Sequence, residues 1–396
     1  MNNAQTIFDQ NSDQKKSLSQ EIEKLEKKIK SAKDLPLELQ ENAKMMIRRV
    51  SNLYGSPAYA GEYESASSYF DWIANLPWNV RSEDNLDLDS ARQVLDESHY
   101  GMEIVKERIL EYLAVLSLQN QRWNEAHSSD QSVPIQNNQE EQSEQKLPLQ
   151  VLGLSEKKTT FKSNVLCLVG LPGIGKTSVA ISIAKALNRK FVRIPFGGMA
   201  SGVLLRGQSR VFPDAEPGIV IKSLRRAGTK NPVILLDEID RVSGSAKAEI
   251  NGILLELLDP AQNIEYRDHF IDYPFDLSES MFIATCNNTG GIANAVVNRL
   301  EVLQMPAYTD EEKIQIVKNY LLPKEMKNVG LSQKELQVDE DVWPIVIRPL
   351  GFEAGVRVLA RMVQGICRVV AKRIVLGEGT EFRITPENIK KFLPRS

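Results

Sequence analysis

Gly170-Leu-Pro-Gly-Ile-Gly-Lys-Thr177 is the stretch that decides the fold of this chain. Two glycines separated by four residues precede a lysine and a threonine, which is the pattern of a phosphate-binding loop. Glycines let backbone amides converge on phosphate oxygens, and the helix after such a loop directs its positive end at them. An apolar run over residues 165–169 leads into the loop, and a helical pattern over residues 178–187 follows it. The stretch therefore predicts a strand–loop–helix unit that binds a nucleotide.

The loop pattern assigns an expected role to each of its residues. Lys176 would bridge the β- and γ-phosphates of the nucleotide, and the Thr177 hydroxyl would bind Mg²⁺. A glycine-rich turn that binds no nucleotide is the alternative, and the flanking strand and helix patterns argue against it. The expected nucleotide-binding residues of the loop are Gly170, Pro172, Gly173, Ile174, Gly175, Lys176, Thr177 and Ser178.

A second motif, Val233-Ile-Leu-Leu-Asp237-Glu238, lies about 60 residues after the loop. It is a buried-strand pattern that ends in two carboxylates. Asp237 would hold the magnesium-bound water, and Glu238 would act as a general base toward the attacking water. Alone the motif is weak, because strands often end in solvated acids, but at this distance from the loop it completes a site. Together the two motifs predict an ATP or GTP hydrolase.

Short apolar runs alternate with helical stretches on both sides of this second motif. Apolar strands that are separated by helices are typical of a parallel sheet covered on both faces. The expected fold class is therefore α/β, with a doubly wound parallel sheet over residues 163–306. The predicted strands are Asn164–Val169, Phe191–Ile194, Val233–Leu236, Met281–Thr285 and Glu301–Met305.

Helical spacing replaces the strand pattern from Thr309 onward. It is clearest in Glu311–Leu322 and Glu353–Val375, and a short strand is predicted near Glu381–Ile384. Residues 307–396 are therefore expected to form a small helical domain.

The N-terminal part, residues 1–84, is also predicted to be helical. Leu18, Ile22, Leu25 and Ile29 are spaced by four, three and four residues, so they share one helix face. Two heptads leave two alternatives open, a short coiled coil and an amphipathic helix that rests on its own domain. Aromatic residues further along have a spacing that favours a small helical core over an exposed binding surface; they are Tyr63, Tyr69, Phe70, Trp72 and Trp78.

Two segments connect this helical part to the sheet. Residues 85–118 are predicted to be a helical approach to the nucleotide-binding domain. Residues 119–162 then become rich in Gln, Asn, Ser and Glu, with few large apolar residues. Such a segment buries too little apolar surface to offset its ordering entropy, so a disordered polar linker or insertion is predicted.

Composition excludes several classes of protein. The 396 residues carry 49 Lys+Arg against 52 Asp+Glu, for a net charge of −3, which argues against a bulk nucleic-acid binder and leaves DNA binding through a local patch open. Three cysteines and three histidines exclude a disulfide framework and show no zinc-ligand spacing. No apolar stretch approaches the roughly 18 residues of a membrane span, and the start of the chain lacks the apolar core of a signal peptide. The expectation is a cytoplasmic protein without a membrane segment.

Three polar residues outside the two motifs are candidates for the same chemistry. Asn287 follows the strand Met281–Thr285, and its amide could position the nucleophilic water, although Asn288 is close enough to be the residue concerned. Arg299 could act in trans on the γ-phosphate of a neighbouring subunit, with an ordinary surface arginine as the alternative. Arg357 would begin the long helix of the second domain and could reach back to the γ-phosphate.

Several shorter motifs accompany these residues: Gly197-Gly198, Ala227–Pro232, Leu236–Asp240, Leu257–Pro260, and upstream Tyr69–Trp72, Leu76–Trp78, Asp84–Asp87 and His99–Gly101. Together with the phosphate-binding loop they resemble the ATPase module of the Lon (endopeptidase La) family of AAA+ proteases. The resemblance covers roughly residues 15–118 and 162–395. It implies an α/β AAA+ nucleotide domain, a helical lid, and a homo-hexameric ring with ATP at the subunit interfaces.

The resemblance also implies roles for individual residues. Asn287 would be the first sensor, Arg299 the arginine finger and Arg357 the second sensor, while Tyr100 and Gly101 would lie near the adenine. The implied cofactors are ATP and Mg²⁺. The implied activity is ATP hydrolysis that drives the unfolding or remodelling of protein substrates in protein quality control.

Two departures from the family pattern qualify this expectation. The family continues into a peptidase domain with a Ser–Lys dyad, and no candidate dyad is present here, so no peptidase activity is expected from this chain alone. At the family's substrate-gripping loop this chain has Arg210-Val-Phe-Pro-Asp214, in which Phe212 keeps the aromatic character while Pro213 stiffens the loop and Asp214 adds charge. Three alternatives to a self-sufficient remodelling motor stay open. They are a nucleotide-gated regulatory subunit of a full-length Lon-type protease, a motor that works with a separate peptidase subunit, and a gene fragment with no independent role.

Overall fold

The computed structural model describes residues 20–32, 34–128, 165–347 and 355–393. None of the helices in these ranges combines the length and apolarity needed to cross a bilayer. The helices that precede the sheet are α1 (20–31), α2 (Leu37–Asn52), α3 (Tyr59–Ala74), α4 (Leu88–Ser98) and α5 (Glu103–Ser128).

A five-stranded parallel sheet forms the centre of the nucleotide-binding domain, with the strand order β2-β3-β6-β1-β7. This order confirms the predicted α/β class with a parallel sheet. Because all five strands are parallel, their carboxyl ends lie at one edge, where ligands bind in sheets of this type. The strands are β1 (Val165–Val169), β2 (Phe191–Pro195), β3 (Val233–Asp237), β6 (Met281–Cys286) and β7 (Leu300–Gln304).

The remaining elements of this domain connect those strands. A two-stranded antiparallel ribbon, β4 (Tyr266–Arg267) with β5 (Pro274–Phe275), lies between α9 and β6 in the chain. The helices are α6 (Lys176–Ala186), α7 (Val203–Arg206), α8 (Ile219–Ala227), α9 (Lys247–Leu258) and α10 (Asn294–Val297).

Both faces of the sheet are buried, as the uninterrupted apolar runs predict. Along β1, Cys167 belongs to one core cluster and Leu168 to the other, because successive strand side chains point to opposite faces. Apolar side chains of α4, α5 and α6 belong to the cluster of Leu168. Those of α1–α3, α8 and α9 belong to the cluster of Cys167. The N-terminal helices are thus divided between the two faces.

The aromatic residues of the N-terminal helices do not form a separate core. Tyr69 and Trp78 are buried, and both contact the β4–β5 ribbon or the residues between its strands. The Tyr69 hydroxyl donates to the Ile271 carbonyl oxygen at 3.2 Å, and the Trp78 ring packs on Phe275 with centroids 5.1 Å apart. The predicted helical core is therefore continuous with one face of the sheet.

The apolar face of α1 is covered by the chain itself. Leu25 and Ile29 are buried in the same cluster as α2 and α3, and Lys28 donates to the Ser67 hydroxyl of α3 at 2.9 Å. Leu18, the first residue of the predicted stripe, lies outside the described residues. The described part of this face thus corresponds to an amphipathic helix resting on its own domain.

Helix α5 extends ten residues past the predicted start of the polar linker at residue 119 and ends at Ser128. Its earlier turns are fixed by buried side chains such as Ile109 and Leu113. Adding turns to an anchored helix costs less than starting a new one, and residues 119–128 contain neither glycine nor proline. The rest of the predicted linker, residues 129–162, lies outside the described residues.

The C-terminal helical domain has its own core, centred on the buried Trp343. The predicted helix Glu311–Leu322 is interrupted by a π turn over Val317–Leu321. Pro323 lies two residues after this turn and has no N–H to donate to a carbonyl oxygen of the preceding turn, which disfavours continuous α-helical bonding here. The helices are α11 (Asp310–Ile316), α12 (Leu322–Val329), α13 (Val342–Ile347) and α14 (Arg357–Val375).

The same domain contains a pair of short strands. The predicted strand near Glu381–Ile384 is β9 (Phe382–Ile384), and it pairs in parallel with β8 (Leu336–Val338). Strand β8, which is three residues long, was not predicted. The predicted helix Glu353–Val375 is observed from Arg357, and residues 348–354 lie outside the described residues.

Candidate functional site

The phosphate-binding loop joins the carboxyl end of β1 to the amino end of α6, as its flanking patterns predict. Gly173 and Gly175 have φ values of +85° and +99°, which side-chain-bearing residues adopt rarely. This backbone brings the unpaired amides of the first turn of α6, which begins at Lys176, next to the loop. The loop and helix together form a site for an anion.

Lys176 connects the loop to the next strand. Its Nζ donates to the carbonyl oxygens of Gly170 and Leu171 and, at 3.1 Å, to the Oδ1 atom of Asn287 after β6. Partial burial lowers the pKa of this ammonium, and the neighbouring carboxylates, Asp240 first among them, oppose that shift. The structure therefore brings Lys176 and Asn287 together at the carboxyl edge of the sheet.

Asn287 rather than Asn288 is held toward the loop. Besides its contact with Lys176, the Asn287 backbone amide donates to the Oδ2 atom of Asp240 at 3.1 Å. Asn288 is exposed, while Asn287 is half-buried. Asp240 lies two residues after the Asp237-Glu238 pair, so the second motif also fixes the position of Asn287.

The two acids of the second motif have different surroundings. Asp237 is buried at the end of β3, and its Oδ1 atom accepts a hydrogen bond from the Thr285 hydroxyl. Glu238 is partly exposed and has a φ of +56°; its backbone amide donates to Thr285 Oγ1 at 3.0 Å. Thr285 of β6 thus contacts both residues, and the chain turns sharply between them.

Arg193 is a site residue that the sequence motifs did not indicate. It extends from β2, and its Nε atom donates to the Oδ2 atom of Asp237 at 2.6 Å, while about half of its own side chain is exposed. The pairing of the strands indicates the contact. In the parallel ladder Arg193 lies opposite Leu235, and Leu235 is two residues before Asp237. Pairing of β2 with β3 could not be deduced from either strand alone.

Arg299 lies at the other end of the sheet. Its carbonyl oxygen accepts from the amide of Val165, the first residue of β1, whereas the phosphate-binding loop follows the last residue of that strand. A five-residue strand separates the two by roughly 15 Å. The Arg299 guanidinium pairs with Asp259 at 3.1 Å, and the Ala261 amide together with Arg299 holds the pKa of the Asp259 carboxyl below its usual value. Within one chain, Arg299 is therefore not brought to Lys176.

Arg357 does lie against the loop. It begins α14, and the amide of the preceding Val356 donates to the Gly173 carbonyl oxygen at 3.0 Å. Gly355 approaches so closely that a Cβ atom built on it would lie 2.3 Å from the Gly173 carbonyl carbon. The C-terminal domain thus contacts the phosphate-binding loop directly through residues 355–357.

Replacing Gly355 with alanine is expected to weaken ATP binding about tenfold, since an extra methyl group in a filled space costs about 1–3 kcal/mol and about 1.4 kcal/mol is a factor of ten in affinity. The added methyl group overlaps the Gly173 backbone, so the C-terminal domain or the loop must shift. Calorimetric titration with ATP measures the change. Gly252→Ala is the matched control, because Gly252 lies on helix α9 with no atom near its Cβ position; unchanged affinity in Gly355→Ala would contradict the importance of the contact.

Tyr100 and Gly101 lie on the segment that leads into α5. Gly101 has a φ of +64°, and the adjacent Met102 contacts the hydroxyl of Tyr308. That hydroxyl also donates to the carbonyl oxygen of Ile174 in the phosphate-binding loop at 3.1 Å, and burial raises the pKa of Tyr308 to about 12. Tyr308, which sequence reasoning missed, therefore connects this segment to the loop.

His99 introduces a pH dependence into the same region. It is buried, and its Nε2 atom lies 3.0 Å from the Oγ atom of Ser182 on α6. Desolvation, with a further contribution from the charge of Lys106, lowers the pKa of His99 to about 4. The unfolded chain, with a histidine pKa of about 6.5, binds more protons between these two values. Stability therefore falls as the pH drops through 6.5 toward 4.

The free energy of unfolding is expected to be about 2 kcal/mol lower at pH 5 than at pH 7.5 on account of His99. His99→Gln should lack this component, so the difference between wild-type and variant isolates it from other titrating groups. Urea unfolding at the two pH values provides the measurement, and parallel pH profiles of the two proteins would refute the assignment.

Phe212 lies on an exposed loop between α7 and α8. Val211 is 89% exposed and Phe212 is 56% exposed. A large aromatic side chain that projects into solvent is available for contact with another molecule.

The oxygen atoms near the loop are of the type that Mg²⁺ prefers. Thr177, in the first turn of α6, supplies a hydroxyl and Asp237 supplies a carboxylate; both are hard oxygen ligands. In the described ranges, no three His, Cys, Asp or Glu side chains are grouped so that they could hold a metal ion. A magnesium ion bound mainly through phosphate oxygens and water does not require such a group.

Comparison with known proteins agrees with this geometry. Residues 166–306 match the family model described as "ATPase family associated with various cellular activities (AAA)", and residues 327–382 match "Lon protease AAA+ ATPase lid domain". The "Lon protease" of Desulforamulus reducens is 40% identical over 358 residues, which are 90% of this chain and 39% of that protein. "Lon protease 2" of Thermus thermophilus is 39% identical and "Lon protease 1" of Bacillus subtilis 38% identical, each over 94% of this chain and 43% of the relative.

The AAA match precedes the lid match along the chain, just as the sheet domain precedes the C-terminal helical domain in the structure. The chain spans about two fifths of the length of the curated relatives it matches. It therefore contains an AAA-family ATPase domain followed by a Lon-type AAA+ lid domain, and it is similar to the ATPase part of Lon proteases.

Proposed function

We propose that this chain is a Mg²⁺-dependent ATP-hydrolysing motor module that acts on protein substrates. The observation that carries the proposal is the convergence of the phosphate-binding loop, Asp237-Glu238 and Asn287 at the carboxyl ends of three neighbouring strands, β1, β3 and β6. A lysine, two acids and an amide at that edge are the groups that phosphoryl transfer requires.

The nucleotide-binding residues have separable roles in this proposal. The loop amides and Lys176 hold the β- and γ-phosphates, and Thr177 with Asp237 would hold Mg²⁺. When bound, the metal neutralises charge on the phosphates. Arg193 and Thr285, which contact Asp237, fix the orientation of its carboxylate.

Hydrolysis then needs an activated water molecule. The Glu238 carboxylate accepts the proton of the attacking water as a general base, and the Asn287 side chain orients that water. Arg357, next to Gly173, couples the position of the lid to the nucleotide. Tyr100 and Gly101 are proposed to border the adenine, since the segment that carries them is joined to the loop through Tyr308.

Arg299 can contribute only from a neighbouring subunit, because it lies at the opposite end of the sheet from Lys176 within one chain. We therefore propose a ring of subunits, with six members as the resemblance to the Lon family implies. In this ring Arg299 of one subunit stabilises charge at the nucleotide of the next. Phe212 would contact the protein substrate from its exposed loop.

Phosphate release from Mg²⁺-ATP tests the proposal directly. Hydrolysis should depend on Mg²⁺ and stop when EDTA is added in excess. Sizing the protein with and without ATP tests the ring. If calorimetry with Mg²⁺-ATP gives no heat of binding to folded protein, the proposal is wrong.

A second candidate is a nucleotide-gated regulatory subunit of a Lon-type protease. The observation in its favour is the substrate loop, where Pro213 and Asp214 follow Phe212 and Asp214 adopts a φ of +57°. A motor should unfold a tagged folded protein with ATP by itself, whereas a regulatory subunit should act only after a Lon-type protease is added. Recovery of a Ser–Lys peptidase in a pull-down would instead favour a motor with a separate peptidase subunit.

A further inference from the structure

The loop that carries Phe212, residues 208–216, has a narrow and fixed neck. The amide of Gln208 donates to the carbonyl oxygen of Glu216 at 3.1 Å, which closes the loop. Just beyond it, the Gly218 amide donates to the buried Asp268 carboxylate at 2.7 Å. A Cβ atom on Gly218 would lie 1.9 Å from the Leu205 carbonyl oxygen. The segments that enter and leave the loop are therefore in direct contact.

Between this neck and the exposed tip, Arg210 points to the N-terminal helices. Its guanidinium carbon lies 3.9 Å from the ring centroid of Tyr69 on α3, and its Nη1 atom lies 3.7 Å from the Met46 sulfur on α2. A guanidinium stacked on an aromatic ring is attracted by the ring's electron-rich face. Arg210 therefore connects the loop to two helices that precede it by more than a hundred residues in the chain.

The surface that receives Arg210 is itself rigid. Tyr69 is 3% exposed, its hydroxyl is bonded to Ile271, and its ring packs on Phe270 with centroids 6.2 Å apart. Phe212 is only two residues from Arg210, and its amide donates to the Ser209 carbonyl oxygen at 3.0 Å in a tight turn. The position of the guanidinium is thus transmitted to Phe212 through a short, turned segment.

We propose that Arg210 is a positioning residue for substrate contact, which anchors the 208–216 loop to the N-terminal helices through Tyr69 and Met46 and so sets the place from which Phe212 meets a protein substrate. The proposal rests on the proposed function, because Phe212 is taken to contact the substrate. The N-terminal helices α2 and α3 would then hold the 208–216 loop in place, in addition to covering one face of the sheet.

Hydrogen–deuterium exchange of the loop amides tests the anchor without any assumption about activity. In Arg210→Ala, the amides of residues 209–212 and 214–216 should exchange about three- to tenfold faster than in wild-type, since a cation–π contact of ordinary strength is removed. Tyr69→Leu should give a similar increase, Tyr69→Phe should not, and the double variant Arg210→Ala/Tyr69→Leu should add little to either single change. Unchanged exchange in Arg210→Ala, or fully additive effects in the double variant, would overturn the proposal. Because Arg210 is half-buried on a loop, its alanine variant should fold. It therefore tests the anchor even if Tyr69→Leu does not fold.

Stimulation of the ATPase by an unfolded protein tests the consequence. With reduced, carboxymethylated α-lactalbumin as the probe, the concentration that gives half-maximal stimulation should rise at least fivefold in Arg210→Ala, and more than any change in KM for ATP. Arg210→Lys, which keeps the charge over the Tyr69 ring, should recover part of the loss. A general loss of folding would lower kcat without this selective shift and would overturn the positioning role. If α-lactalbumin does not stimulate even the wild-type protein, the substrate part of the proposed function fails, while the exchange measurement still decides on the anchor.

Discussion

Glu238→Gln is expected to lower the rate of ATP hydrolysis by about 10²–10⁴-fold, the usual contribution of a general base, with ATP binding retained. Glutamine has nearly the same shape as glutamate and cannot accept the proton of the attacking water. The Glu238 backbone, held by its amide bond to Thr285, does not depend on the carboxylate. Phosphate release and ATP calorimetry on the same preparation measure the two quantities separately.

The matched control for this variant is Glu64→Gln, which alters an exposed glutamate on α3. It should hydrolyse ATP as the wild-type does. If Glu238→Gln kept full activity, the general base would have to be another group, and Asp240 would be the next carboxylate to examine, since it holds the Asn287 amide.

Arg299→Ala is expected to lower ATP hydrolysis by about 10³-fold or more, in the range found where an arginine acts from a neighbouring subunit. The physical reason is positional: Arg299 lies at the amino end of β7, beside the first residue of β1, and so cannot reach the nucleotide of its own chain. In the proposed ring, Asp259, which pairs with Arg299, would hold the guanidinium on the surface that faces the next subunit. Steady-state hydrolysis measures the loss. The control is Arg108→Ala, which alters an exposed arginine on α5 that pairs with Glu111.

A mixing experiment distinguishes action in trans from action in cis. Equal amounts of Glu238→Gln and Arg299→Ala subunits should recover activity, because some interfaces then combine an intact glutamate with an intact arginine. Two inactive proteins that remain inactive when mixed, although they form joint oligomers, would exclude the arrangement between subunits.

Much of the site could be predicted because its determinants are local. The spacing of Gly170, Gly175 and Lys176 fixes a loop between one strand and one helix, and all the atoms concerned lie within a few residues of one another. The same holds for Asp237 and Glu238, which end a strand that is apolar throughout. Their meeting at one edge followed from the parallel sheet, a consequence of the alternation of strands and helices.

Other features of the site depend on which strands and helices become neighbours. Arg193 reaches Asp237 only because β2 pairs with β3, and Tyr308 reaches Ile174 only because the start of the lid crosses the phosphate-binding loop. Neither residue stands in a recognisable motif. The extension of α5 past residue 118 was missed for a different reason, since the polar composition of that stretch suits a disordered chain and an anchored helix equally well.

The sequence by itself determined the class of sheet, the phosphate-binding loop and the pair of acids, because backbone geometry and hydrophobic periodicity act over a few residues and leave a readable pattern. Only the tertiary structure decided that the N-terminal helices divide between the two faces of the sheet, that Gly355 lies against Gly173, and that Arg210 stacks on Tyr69. These contacts join residues that are more than a hundred positions apart in the chain. Their formation depends on the combined packing of many side chains, and no short stretch of sequence contains that information.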